Sequence, residues 1–117
     1  MSMLDTYRNN LLRKREEAAK LNQDLAKEQA KIAPLQQKII SANAAIGRTK
    51  SASTIKSKLN EIDRANKAIA DTQKKVGDIQ KKLAQKEKEI AAAEKTYHNE
   101  ETKVNKKAAD AEKKRIQ

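Results

Sequence analysis

Apolar residues recur at every seventh position over two long stretches of the chain. The first string is Leu4, Leu11, Ala18, Leu25, Ile32, Ile39 and Ile46. A companion string lies three residues later at Tyr7, Lys14, Leu21, Glu28, Leu35 and Ala42, weakened by its two charged members. After a gap, a new string runs Ile55, Ile62, Ile69, Val76, Leu83, Ile90, Tyr97, Val104 and Ala111. Its companions are thin: Leu59 in the first turn, then Ala65, Ile79 and Ala93. A free α-helix repeats every ~3.6 residues, so a strict seven-residue repeat keeps its stripe only in a left-handed supercoil. The pattern predicts an all-α chain of two long helices, one over about 3–46 and one from about 53 onward.

The segment between them, "IGRTKSASTIKSKL", reads as a stop followed by a start. Gly47 follows Ile46 where a left-handed residue ends a helix. Arg48 and Lys50 suit the negative end of the helix dipole. Ser51 and Ser53 are both N-cap candidates ahead of Ile55. Neither has Glu or Gln three residues later, so no full capping box is expected. The expectation is a tip near residues 47–53 joining two antiparallel helices in a hairpin coiled coil. Folding about 48–52 sets Ile46 opposite Ile55, Ile39 opposite Ile62, Ile32 opposite Ile69 and Leu25 opposite Val76. It continues with Ala18 opposite Leu83, Leu11 opposite Ile90, and Leu4 opposite Tyr97. Each arm of ~44 residues runs ~66 Å at 1.5 Å per residue.

On this reading residues 1–97 form the hairpin, and 98–117 are a helical overhang or linker toward a downstream domain. Pro34 removes a backbone donor and crowds the carbonyl of Ala30. Because Ile32 and Leu35 hold the heptad phase across it, a kink in helix 1 is expected near Pro34. Gly77 costs ~1 kcal/mol against Ala in a helix but leaves the phase intact. Lys14 and Glu28 face polar partners such as Thr72 or Glu87, and they fix register rather than do chemistry.

Composition agrees with this pattern. Charged residues make up 37% of the 117, there is no Phe, Trp or Cys, and the only aromatics are Tyr7 and Tyr97. Such a chain suits long helices and not a dense globular core. Without Cys there are no disulfides or thiolate metal sites, which fits a reducing compartment. No apolar run reaches the ~20 residues of a membrane helix, and the N-terminus lacks the form of a signal peptide. The expected setting is a soluble, cytoplasmic protein with no membrane contact.

The net charge of +11 is uneven. Residues 47–60 hold Arg48, Lys50, Lys56 and Lys58 and no acid, whereas the flanks are of mixed sign. "GRTKS" falls short of a phosphate-binding loop, which needs a second glycine directly before the lysine and a strand before the loop. A basic tip that meets phosphate, nucleic acid or an acidic protein is the better functional reading, and a plain capped turn is the structural one. His98 with Glu100 and Glu101 reads as a surface cluster and not a metal site, because the ligands are too few. No nucleophile–base pair stands out, so no catalytic residue, cofactor or small-molecule substrate is expected. The seam of Leu4, Leu11, Leu25, Ile32, Ile39, Ile46, Ile55, Ile62, Ile69, Val76, Leu83 and Ile90 is narrow. Self-association into a dimer or larger assembly would bury more of it.

The tip also resembles a known region. Ile46, Gly47, Arg48, Thr49, Ser51, Ser53, Thr54, Lys56, Lys58, Leu59, Glu61 and Ile62 match an "IG-R/K-T-x-S-x-S-T-x-K-x-K-L-x-E-I" pattern. That pattern is found in the coiled-coil region ahead of the TIR domain in many bacterial TIR proteins. "MLDTYRNNLLRKREE" has the character of their N-termini. The resemblance implies a bacterial cytoplasmic protein whose TIR domain cleaves NAD, some members making cyclic ADP-ribose signals in anti-phage defence or acting as effectors on host signalling. The catalytic glutamate of that family belongs to the α/β TIR domain, so no catalytic position transfers to these residues. What the resemblance implies for them is non-catalytic oligomerisation or placement of TIR domains. The alternative is a freestanding basic coiled coil that binds nucleic acid or an acidic partner through the tip.

Overall fold

A computed structural model describes residues 2–116, and among them every regular element is a helix. The order is α1 (Met3–Gln29), α2 (Ile32–Arg48) and α3 (Ala52–Ile116). The architecture is an all-α antiparallel helical hairpin. It divides into two compact units, one made of the chain up to Lys20 with that from Lys82 onward, the other of Leu21–Lys81. Helix α2 ends and α3 begins about as expected, but the first arm is two helices.

Helix α1 starts on a serine cap. Ser2 Oγ accepts a hydrogen bond from the Asp5 N–H at 3.1 Å, filling one of the donors that a helix start leaves free. Asp5 adds a carboxylate at the positive end of the dipole and pairs with Arg8. The helix ends where Pro34 begins to act. Pro34 has no N–H to offer the Ala30 carbonyl, so the repeating ladder fails there. Ala30 N–H still reaches Ala26 O at 3.0 Å, while Lys31 N–H falls back on Glu28 O at 3.1 Å, a tighter turn. Lys31 stays right-handed, with φ −75° and ψ −21°. The interruption therefore sits at Ala30 and Lys31, one turn before the proline. It is the bend expected near Pro34, and it divides the first arm into α1 and α2.

Gly47 does not end α2 in a left-handed conformation. It lies inside the helix, and no described residue has a positive φ. The chain leaves the helix at Thr49 instead, which is extended at φ −121° and ψ 151°. Its N–H donates to Ile46 O at 3.4 Å, and no left-handed residue is needed. Ser51 then caps α3: its Oγ accepts from Thr54 N–H at 3.3 Å and its carbonyl from Ile55 N–H at 3.0 Å. Ser51 N–H donates to Thr49 Oγ1 at 3.1 Å, tying both sides of the turn together. Ser53 is not the cap; its hydroxyl sits 3.1 Å from that of Ser51.

Within the Leu21–Lys81 unit, Ala42 and Ala65 are the most buried residues, at 2% and 4% exposed. Small side chains let two helix backbones approach closely. Thr72 is buried with them because its hydroxyl donates to Ala68 O at 2.8 Å and so needs no outside partner. Leu25, Ile32, Ile39, Ile46, Ile55, Ile62, Ile69 and Val76 are all half-buried along this seam. In the other unit Leu11, Leu83 and Ala93 are buried, and Leu4, Ala18, Ile90 and Tyr97 half-buried. Among the described residues no large side chain is wholly removed from solvent. From Thr102 to Ile116 every residue of α3 is exposed, Val104 and Ala111 included, although both keep the heptad phase. Gln117, counted with the expected overhang, lies outside the described residues.

Candidate functional site

Two surfaces follow from this fold: a charged cluster set into the seam, and the basic tip. The cluster belongs to the unit formed by the segment up to Lys20 and the segment from Lys82 onward. Lys14 and Lys86 occupy seam positions where an apolar side chain would ordinarily pack. Lys14 Nζ donates to Glu89 Oε1 at 2.9 Å, and Lys86 Nζ donates to Glu17 Oε2 at 2.6 Å. Lys86 also lies 3.7 Å from Glu89, so four charges of alternating sign are linked. The hydrogen bond from Lys86 holds the Glu17 carboxyl below the usual carboxylate range, and that from Lys14 does the same for Glu89. Glu17 in turn raises the Lys86 ammonium above its ordinary value. Arg15 adds a third cross-helix pair with Glu94 at 3.0 Å.

These pairs fix direction and register. As the residue number rises from Lys14 to Glu17 it falls from Glu89 to Lys86, so the helices run antiparallel. Both pairs fall two residues further along α3 than a fold about 48–52 places them. Lys14 meets Glu89 and not Glu87, which points to solvent. In the other unit, Glu28 turns to Lys31, in the break that follows its own helix, rather than to Thr72. Its Oε1 accepts from Lys31 Nζ at 2.8 Å, which lowers the Glu28 carboxyl, with a smaller push from Lys75 across the seam. Its second oxygen is buried without a hydrogen bond.

At the tip, Gly47, Arg48, Lys50, Ser51, Ser53 and Lys56 are exposed. Lys58 is half-buried and lies 3.4 Å from Glu61. Arg48, Lys50 and Lys56 make no ion pair among the described residues. Ser53, Lys56, Ser57, Asn60, Glu61 and Arg64 line an open groove on the first turns of α3. A second groove, between Leu35 and Lys38 on α2 and Ala65 and Ala68 on α3, has Arg64 and Glu61 at its edge. His98 is exposed, with Nδ1 3.7 Å from Glu101. Among the described residues no group of three His, Cys, Asp or Glu is placed to hold a metal ion, and no helix is long and apolar enough to cross a membrane.

Three features escaped the sequence reading. The Ser2 cap was visible in "SMLD", a serine with an acid three residues on. The Glu17–Lys86 pair was not, because it requires the register. Arg64 joins the tip only through the groove it shares with Ser53 and Lys56.

Comparison of the chain with family models, with curated proteins and with solved structures returns no match.

Proposed function

We propose that this chain is a non-catalytic assembly module: a coiled-coil hairpin that self-associates and thereby gathers the domains attached to it. The observation that carries this reading is apolar surface left outside the seam. In the Leu21–Lys81 unit, Ile40 is 60% exposed and Leu59 54%. In the other unit Met3 and Leu12 are exposed as well. A seam with no wholly buried large side chain returns little burial energy for the helices it must order. A second copy laid against it removes more of this surface from water. The tip's resemblance to the region ahead of bacterial TIR domains supports a further step, in which the attached domain is a NAD-cleaving TIR domain.

Sedimentation velocity from micromolar to millimolar concentration tests the assembly. The expected result is a dimer or larger species that Ile40→Glu with Leu59→Glu returns to monomer while helicity is retained. A wild-type chain that stays monomeric at millimolar concentration sinks the reading. Sequencing the gene past the Gln117 codon tests the attached domain, with alternating short strands and helices as the expected continuation.

A further inference from the structure

Between Glu28 and Glu61 the sequence contains no acidic residue, and it carries Lys31, Lys38, Arg48, Lys50, Lys56 and Lys58. The turn at 49–51 gathers part of this run at one end of its unit. Lys38, Arg48, Lys50 and Lys56 are exposed there with no ion pair among the described residues, and Arg64 is in the same state. Glu61 is the one carboxylate lining the grooves at this end, and Lys58 already neutralises it at 3.4 Å.

Neutral donors accompany the cations. Ser53, Ser57, Asn60 and Arg64 recur every three or four residues, so they form a stripe on one side of α3. All four line the same open groove as Lys56. The stripe runs ~17 Å at 1.5 Å per residue. Hydroxyl, amide, ammonium and guanidinium groups are the side-chain set that contacts phosphate oxygens. One strand of a duplex presents a phosphate about every 3.4 Å of axis, so a stripe of this length faces about five of them.

The rest of the surface selects among polyanions. The Ser53–Arg64 groove is lined by no aromatic or large apolar residue, and protein partners are usually held by such anchors. The only aromatics, Tyr7 and Tyr97, lie outside this unit, so no base can stack at the tip. We infer that the hairpin tip binds the phosphate backbone of nucleic acid without sequence preference, through Arg48 and Lys50 at the turn and through Lys56 and Arg64 in the groove they share with the hydroxyl and amide stripe.

Fluorescence anisotropy with a labelled mixed-sequence DNA duplex two helical turns long tests it. Four phosphate-contacting cations give a log–log salt slope of about −3.6, hence about a hundredfold loss of affinity between ~50 and ~200 mM salt. The combined variant Arg48→Gln, Lys50→Gln, Lys56→Gln and Arg64→Gln is expected to weaken binding at least ~30-fold at low salt and to flatten that slope. A charge-matched control, Lys106→Gln, Lys107→Gln, Lys113→Gln and Lys114→Gln, is expected to stay within about threefold. All eight side chains are exposed, and circular dichroism checks that both variants remain helical. Equal losses in the two variants, or no duplex binding by the wild-type chain at low salt, overturn the inference. So does tip-dependent binding of a poly-glutamate peptide that is tighter than binding of the duplex, which would assign the surface to an acidic protein.

Discussion

Lys14 and Glu89 are joined across two helices by a 2.9 Å hydrogen bond, although 75 residues separate them in the chain. Their neighbours Glu17 and Lys86 are joined likewise at 2.6 Å. Both lysines sit in the seam, and each is tolerable there because a carboxylate of the opposite helix receives it.

This arrangement predicts a pH profile. Glu17 and Glu89 have folded values below the ordinary 4.5, chiefly through the hydrogen bonds from Lys86 and Lys14. A depressed carboxyl contributes stability that is fully present above its unfolded value and lost as pH falls through the folded one. Lys86 is raised above 10.5 by Glu17, so its contribution is present below that value and lost as pH rises through the higher folded one. The thermal midpoint is expected to be flat between about pH 5 and pH 10 and to fall at both ends. Glu17→Gln with Glu89→Gln should flatten the acid limb. An acid limb unchanged in that double variant would remove these pairs as its cause.

The two serines of the turn are predicted to differ. Ser51 Oγ accepts from the Thr54 N–H, whereas Ser53 contacts only the other hydroxyl. Ser51→Ala should cost about 1 kcal/mol and Ser53→Ala much less. Chemical denaturation of the two variants reads the difference directly. Equal losses would mean the cap is shared.

The glycines offer a test with a sign. A Cβ built at Gly47 or Gly77 meets nothing within 4 Å, and neither residue has a positive φ. Gly77→Ala lies deep inside α3 and should stabilise by roughly 0.5–1 kcal/mol. Gly47→Ala, near the end of α2, should stabilise by less. A loss of stability in Gly47→Ala would instead mean that the turn needs a left-handed residue there. Thermal melts distinguish these outcomes.

Pro34→Ala restores the N–H that the Ala30 carbonyl lacks, and it should join α1 to α2. The expected gain is about 1–3 kcal/mol, at the lower end because Pro34 lies in the first turn of α2. Amide exchange is the local readout, with slower exchange expected over residues 30–33, whose N–H groups are present in both chains. Unchanged exchange there would place the cause of the break elsewhere.

The strings from Leu4 to Ile46 and from Ile55 to Tyr97 sufficed to predict two helical arms, the stripe each one buries and a reversal between them. The reason is that heptad spacing fixes the rotational phase of a helix, and rotational phase decides which residues face a partner. Spacing does not fix how far one helix slides along the other. That slide decided whether Lys14 met Glu87 or Glu89, and it required the Glu17–Lys86 pair to form alongside. The sequence likewise supplied two candidate caps in Ser51 and Ser53 and a candidate stop in Gly47. The choice fell to the backbone, because Thr49 turning extended brought Ser51 Oγ onto Thr54 N–H and left Gly47 inside the helix. At Pro34 the sequence located the missing donor, but whether its loss bends the ladder or opens it depends on how the neighbouring turns re-form their hydrogen bonds. Ala30 and Lys31 settled that by closing a tighter turn one step earlier. The basic composition of the tip was legible from the start. That Arg64 belongs to it was decided only when α3 wound Ser53, Ser57 and Asn60 onto the same groove.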